Sequence, residues 1–118
     1  MAAPNIINVT AITAKTAVVA VTTSLATLLS NASNSNTVIK INSITYANYT
    51  ANPVTATATI LRSGTTYYIV GSVSVPANST LIVTGKDTTF YLEESDAIQG
   101  SSSTNSAISA IISYEIIT

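Results

Sequence analysis

Residues 54–75 read VTATATILRSGTTYYIVGSVSV, and this stretch decides the fold class. In its first half, Val or Ala alternates with Thr at every second position, which is the period of a β-strand with two different faces. Ser63 and Gly64 then give a turn signal, and the second half again places Tyr, Ile and Val at alternate positions. The stretch therefore predicts two antiparallel strands joined by a short turn.

Similar patterns lie on both sides of this hairpin. Short apolar or alternating runs predict further strands at residues 16–23, 37–46, 79–84, 88–93 and 107–117. Residues 24–30 fit either a strand or one loose turn because their leucines have helical spacing, and residues 100–105 (GSSSTN) are typical of a polar loop. The apolar side of the strand at 37–46 changes near Asn42, which predicts one extra bulge residue there.

The number and spacing of these strands define the architecture that we expect. Seven to eight short strands, about 8–12 residues apart, are typical of a β-sandwich or barrel and not of a βαβ fold. We therefore predict an all-β protein with a single antiparallel β-sandwich domain, jelly-roll-like, at residues 16–118. Residues 1–15 precede the first clear strand, and we predict that they form an extended N-terminal arm.

The composition excludes most catalytic and cofactor chemistry. The chain has no histidine and no cysteine, and charged residues make up 8% of it, against about 25% in an ordinary soluble domain. Zinc fingers, haem sites, iron–sulfur clusters and Ser-His-Asp sites all need one of these two residue types. We therefore predict that the protein is not an enzyme and binds no cofactor.

The low charge also limits the partners. Four Lys and Arg residues are too few for the phosphate-neutralising patch that nucleic-acid binding requires. The longest purely apolar run, residues 17–21, is far shorter than the ~20 residues of a membrane-spanning helix. We expect neither nucleic acid nor a membrane as a partner. A net charge of −1 on a surface rich in Ser, Thr and Asn favours a permanent assembly, so we expect a homo-oligomer.

Two groups of residues are candidates for a site. Glu93, Glu94 and Asp96 could bind a hard cation such as calcium, but a charged, solvated strand end explains them better, and we predict no metal site. The tyrosine pairs Tyr67/Tyr68 and Tyr46/Tyr49 could form a sugar-stacking platform. Because adjacent strand residues face opposite ways, we favour one core-facing tyrosine and one interface tyrosine in each pair.

The second half of the chain resembles a known group of proteins. Its motifs are VPANSTL at 75–81, YLEESD at 91–96 and SYE at 113–115, with ITYAN at 44–48 and GTTYY at 64–68 upstream. In this order they are similar to small structural proteins of tailed bacteriophages, notably cyanophages and other marine phages, and the likeness spans about residues 35–118. The pattern has Gly where this chain has Ser95, which implies a different turn geometry there.

The resemblance implies a jelly-roll-like sandwich in a virion, on the capsid or tail surface. The length fits a capsid decoration (cement) protein whose partner is the major capsid protein. A neck, tail or fibre component that binds other virion proteins is the alternative, and a carbohydrate-binding module is a third. We further expect the arm at residues 1–15 to dock on a neighbouring subunit or on the capsid, through Ile6, Ile7, Val9 and Ile12.

Overall fold

The computed structural model describes residues 8–118. This part of the chain forms nine strands: β1 (Ile12–Val21), β2 (Ala26–Ser30), β3 (Val38–Asn48), β4 (Val54–Arg62), β5 (Thr65–Val75), β6 (Thr80–Thr84), β7 (Phe90–Leu92), β8 (Ala97–Ser102) and β9 (Ile108–Ile117). A 3-10 turn at Lys86–Thr88 separates β6 from β7. No helix within residues 8–118 is long and apolar enough to cross a membrane. The prediction of an all-β chain is confirmed.

The strands form two antiparallel sheets that pack face to face as in a β-sandwich. The first sheet has the order β1-β9-β3-β6, and β7 also pairs with β3. The second sheet has the order β2-β8-β4-β5. Their inward side chains meet in one core, in which Ile44, Tyr46 and Ile112 from the first sheet and Ala58 and Ile98 from the second are fully buried.

The pairs of strands are nested along the chain. β4 pairs with β5, β3 with β6 and β7, β2 with β8, and β1 with β9. The chain therefore runs like one long hairpin whose tip is the turn at Ser63 and Gly64, where φ is +52° and +76°. Two further pairs, β9 with β3 and β8 with β4, close this hairpin into two sheets.

The structure has nine strands in its described residues, whereas the sequence predicts seven to eight. The strand that the prediction omits is β8 (Ala97–Ser102), because its sequence AIQGSS reads as the start of a polar loop. Gly100 and Ser102 point inward in β8 and are buried, so small residues occupy positions where a strand usually has large apolar ones. The ambiguous segment at 24–30 contains strand β2, which pairs with β8.

The first strand begins earlier than the predicted boundary at residue 16. β1 starts at Ile12, and Ile12, Thr13, Ala14 and Lys15 all have partners on β9 in a register without a shift. Backbone hydrogen bonds from β-sheet pairing extend this ladder to Ala11 and Thr118. The segment from Ile12 to Lys15 thus belongs to the sheet, because its backbone groups are satisfied by the chain's own β9.

Candidate functional site

An open groove of about 580 Å³ lies where one edge of the sandwich brings the two sheets together. Strands β4 and β5 of the second sheet supply one wall, and β7 of the first sheet with the residue that follows it supplies the other. The side chains that line the groove are Ile60, Arg62, Tyr67, Phe90, Tyr91 and Glu93. The groove therefore combines aromatic surface with one cation and one anion.

The aromatic side chains reach this groove because their strands lie at sheet edges. Tyr67 is 57% exposed on the edge strand β5, and Tyr91 is 39% exposed on the three-residue strand β7. Phe90, the neighbour of Tyr91, also lines the groove and packs partly against the core. A tyrosine ring at each side of an open groove is a surface on which a flat apolar ligand face can stack.

An ion pair joins Arg62, which lines the groove, to the buried residue Asp96. Arg62 Nε donates to both carboxylate oxygens of Asp96, at 3.1 and 3.0 Å, although the two residues lie far apart in sequence. The Asp96 carboxylate, which is almost fully buried, also accepts a hydrogen bond from the Glu93 backbone N–H at 2.8 Å. The hydrogen bonds to Asp96 raise the pKa of the Arg62 guanidinium above its ordinary value. Arg62 is thus held in a fixed orientation.

The acidic cluster is only partly the solvated strand end that the sequence predicts. Glu93 is exposed and makes a salt bridge of 3.2 Å to Arg62, but Asp96 is buried and joins Arg62 of β4 to the turn between β7 and β8. Glu94 turns away and accepts a hydrogen bond from the Asn36 backbone N–H. Within residues 8–118 no three acidic side chains converge as a metal-ligand set would require. The interpretation as a solvated strand end was therefore wrong for Asp96, because Arg62 compensates its burial.

The two tyrosine pairs differ in their placement. Tyr46 is fully buried and Tyr49 is 57% exposed, so that pair has one core residue, as predicted. Tyr67 and Tyr68 are both exposed, and the prediction of a core-facing member is wrong for them. The register of β5 against β4 shifts directly after Tyr68, where Ile69 has no partner, and β5 is an edge strand, so strict alternation between core and solvent does not hold there.

A second candidate surface is the outer face of the first sheet. Direct cross-strand neighbours form three rows across β1, β9, β3 and β6, and all of these side chains are exposed or half-buried. The rows are Thr16, Ser113 and Ser43; Val18, Ile111, Thr45 and Ile82; and Ala20, Ser109, Ala47 and Thr80. None of these eleven side chains is charged.

The middle row gives this face its apolar character. Val18 is 72% exposed, Ile82 is 67% exposed and Ile111 is 39% exposed. Beyond one end of the rows, Lys40, Lys86 and Glu115 line a polar hollow of about 510 Å³. An uncharged centre with aliphatic side chains and a charged rim is the composition of a protein–protein contact surface. We name the three rows the outer patch.

The predicted arm residues lie only partly in the described region. Ile12 is in β1 with its side chain 58% exposed on the outer side of the sheet. Val9 is half-buried before the strand begins. Ile6 and Ile7 lie outside the described residues. The structure thus places Ile12 on the same face as the outer patch.

Two buried asparagines were missed by the sequence analysis. Asn48 Nδ2 donates to the carbonyls of Asn52, Val75 and Pro76, at 2.9 to 3.1 Å, and its Oδ1 accepts from the Thr50 N–H and hydroxyl. Asn31 in the same way donates to the Thr37 and Leu92 carbonyls. Each amide satisfies loop backbone that has no strand partner. Their position directly at the ends of strands is the sequence signal that could have revealed them.

Comparison with known proteins finds no relative that would indicate a role for either surface. No protein-family model matches the chain, and no curated protein matches it in sequence. The outer patch and the groove lined by Tyr67 and Tyr91 are the two candidate surfaces.

Proposed function

We propose that this chain is a non-enzymatic structural protein of a tailed-bacteriophage virion, and specifically a capsid decoration (cement) protein. The observation that carries the proposal is the outer patch: eleven neighbouring side chains without a charge, three of them exposed aliphatics. Exposure of these apolar side chains to water is unfavourable in free energy, and a permanent contact with another protein would bury them. The major capsid protein is the proposed partner.

The topology supports this proposal. The nested pairing of β1 with β9, β2 with β8, β3 with β6 and β7, and β4 with β5 is the pattern of a hairpin rolled up into two sheets, and we propose that the fold is a jelly roll. Jelly rolls are frequent in viral capsid proteins and in lectins. The likeness of residues 35–118 to small phage structural proteins points to the first of these two classes.

The surface chemistry supports a virion location. A net charge of −1 on 118 residues gives little electrostatic repulsion between copies, which suits a protein that is held at high density on a particle. The hydroxyl-rich face of the second sheet would remain in water. We propose that the chain acts as a homo-oligomer on the virion surface.

Binding to purified particles that lack the protein tests this function. We expect Ile82→Lys, in the middle row of the outer patch, to weaken capsid binding by about tenfold or more, because it would bury an unpaired charge. Thr55→Lys is the matched control, since Thr55 is exposed on a strand of the other sheet. Equal binding of both variants would contradict contact through the outer patch, and density for the chain at the neck or tail would replace the capsid as its site.

The arm requires a separate experiment. Because β1 begins at Ile12, the truncation that tests the arm removes residues 2–7 and leaves every described residue in place. We expect the truncated protein to bind particles more weakly than the full chain, since it lacks Ile6 and Ile7. Binding at full-length strength would show that these residues do not anchor the subunit.

The aromatic groove favours a second candidate function, the recognition of a carbohydrate. Tyr67 and Tyr91 present rings for stacking, and Arg62 and Glu93 present hydrogen-bonding groups between them. On a glycan array we would compare Tyr67→Ala with Tyr49→Ala, because both tyrosines are 57% exposed and only Tyr67 lines the groove. Loss of glycan signal in the Tyr67 variant alone would support this function, and no signal from the wild-type chain would exclude it.

A further inference from the structure

Within residues 8–118, strand β1 has a long edge without a strand partner. It runs for ten residues, from Ile12 to Val21, and within residues 8–118 its strand partner is β9 on one side alone. Its short contact with β2 is the corner where the chain passes to the second sheet. The other side of β1 therefore presents backbone groups that a further strand could bind.

The hydrogen-bond pattern shows which groups these are. Ala11 and Thr118 exchange both backbone hydrogen bonds, at 3.3 and 2.9 Å, so they form a hydrogen-bonded pair of the antiparallel ladder. Such pairs alternate with non-hydrogen-bonded pairs, and the β1–β9 register has no shift. The N–H and C=O groups of Ile12, Ala14, Thr16, Val18 and Ala20 consequently point away from β9.

This edge lacks the features that usually prevent strands from associating. β1 contains no proline and no bulge against β9, and its one charged residue is Lys15. The other edges differ: β2 has five residues and a register shift, β5 has register shifts and a positive φ at Ser72, and the 3-10 turn interrupts β6 and β7. Among the described strands, β1 is the regular edge that is open to pairing.

We propose that a second copy of this chain pairs with β1 through its own β1, antiparallel and centred on Thr16. In this register Thr16 lies opposite Thr16 of the second copy, Ala14 opposite Val18, and Ile12 opposite Ala20. The five residues of each strand whose backbone groups point away from β9 then all form hydrogen-bonded pairs. A shift in either direction leaves some of them unpaired. The two first sheets become one continuous sheet across a two-fold axis.

The side chains fit this pairing. Val18 and Ile12, which are 72% and 58% exposed, each face an alanine of the second copy, so aliphatic surface is covered without steric conflict. Lys15 lies opposite Ala17, so the two lysines do not face each other directly. The same strand supplies both halves of the contact, which is why a second copy, and not an unrelated chain, is the occupant we propose.

The pairing is a property of the isolated chain and does not depend on a role in a virion. It is therefore tested with purified protein, and its failure would leave the proposed contact between the outer patch and the capsid untouched. Capsid binding in turn is tested through Ile82, on β6 at the far side of the sheet from β1.

Single cysteines test the register, because the wild-type chain has none. Thr16→Cys places two thiols across the axis with α-carbons about 5.5 Å apart, within the range of a disulfide. Ala14→Cys or Val18→Cys alone places like positions about 13 Å apart, which is too far, whereas a mixture of the two brings them opposite each other. We expect disulfide-linked dimers from Thr16→Cys and from the mixture. Dimers from Ala14→Cys alone, or none from Thr16→Cys, would overturn this register.

Sedimentation velocity tests the dimer without cross-linking. We expect wild-type protein to form dimers, and Val18→Lys to raise the dimer dissociation constant by about tenfold or more, because it places a charge at the free edge. Ile82→Lys is the matched control, since Ile82 is 67% exposed in the same row but far from β1. A monomeric wild-type chain, or an equal effect of both variants, would overturn the proposal.

Discussion

The Tyr46 hydroxyl occupies the space where any residue other than glycine at position 100 would place its β-carbon. This hydroxyl donates a hydrogen bond to the Thr57 carbonyl at 3.1 Å, so a tyrosine of the first sheet is fixed to the backbone of the second. A β-carbon added at position 100 would also lie 2.8 Å from Leu28 Cδ1. Gly100 is thus required by close packing between the sheets, not by its backbone conformation.

Replacing Gly100 with alanine should destabilise the protein. The added methyl group has to displace Tyr46 and Leu28, and overpacking of this kind costs about 1–3 kcal/mol in the free energy of unfolding. Urea denaturation of Gly100→Ala and Gly85→Ala measures the effect. Gly85 is the control because a β-carbon there would meet Ile82 at an ordinary 3.8 Å. Equal stability of the Gly100 variant and the wild type would contradict the packing described here.

Stability should fall at alkaline pH because of Tyr46. Burial raises the pKa of its hydroxyl above the ordinary value of 10.0, so the folded state keeps a proton that the unfolded state loses. The contribution of Tyr46 to stability is therefore complete below pH 10 and declines as the pH rises further, with a slope of about 1.4 kcal/mol per pH unit. Urea denaturation of the wild type and Tyr46→Phe at pH 9 to 11.5 checks this. Parallel pH profiles would show that Tyr46 is not the cause.

Removal of the Asp96 carboxylate should destabilise the sandwich more than removal of the Glu93 charge. Asp96→Ala leaves the Glu93 N–H without its acceptor and leaves the Arg62 guanidinium only the exposed Glu93 as an ion-pair partner. Because the Arg62 side chain is 43% exposed, water replaces part of the loss, and we expect a cost of about 1–3 kcal/mol. Glu93→Gln removes an exposed ion pair and should cost less than about 1 kcal/mol. Thermal unfolding compares them, and equal losses would contradict a structural role for Asp96.

Glycine at position 95 should make the folded protein more stable than serine does. Ser95 has φ of +71°, a left-handed conformation that is unfavourable for residues with a β-carbon. We expect Ser95→Gly to stabilise the protein by about 0.5–1 kcal/mol. Ser74→Gly, at an exposed position inside β5, should have the opposite sign, because glycine weakens a strand interior. Destabilisation by both changes would show that the serine side chain stabilises the turn at 95.

The conformation of Ser95 also bears on an inference from the sequence. The resemblance to phage proteins, whose pattern has Gly there, implied a different turn geometry for this chain. Ser95 has a positive φ, a conformation that glycine takes readily.

Much of the fold could be predicted because it depends on local periodicity. The alternation in β4 and the bulge near Asn42 are both present, the second as a register shift between Ile41 and Ser43. β8 was missed because two of its inward residues, Gly100 and Ser102, are small, and at Gly100 the reason lies on another strand, in the hydroxyl of Tyr46. Periodicity in one segment contains no information about such a neighbour.

The candidate sites were harder to predict than the strands. Arg62 is on β4 and Asp96 lies in the turn before β8, and neither has a neighbour in sequence that indicates the pair. The outer patch consists of ordinary Ser, Thr, Ala, Val and Ile residues, and it becomes a surface only through the register of four strands. The low fraction of charged residues did, however, predict a surface with little charge.

The position of β9 between β1 and β3 constrains how the protein folds during synthesis. β9 follows all the other described strands in the chain, and it joins β1 across roughly one hundred positions of sequence. A nascent chain can assemble β2, β8, β4 and β5 as a sheet while β1 and β3 still lack the strand that holds them together. We expect slow folding that ends with the insertion of β9, and until then β3 exposes an unpaired edge to every other copy leaving the ribosome.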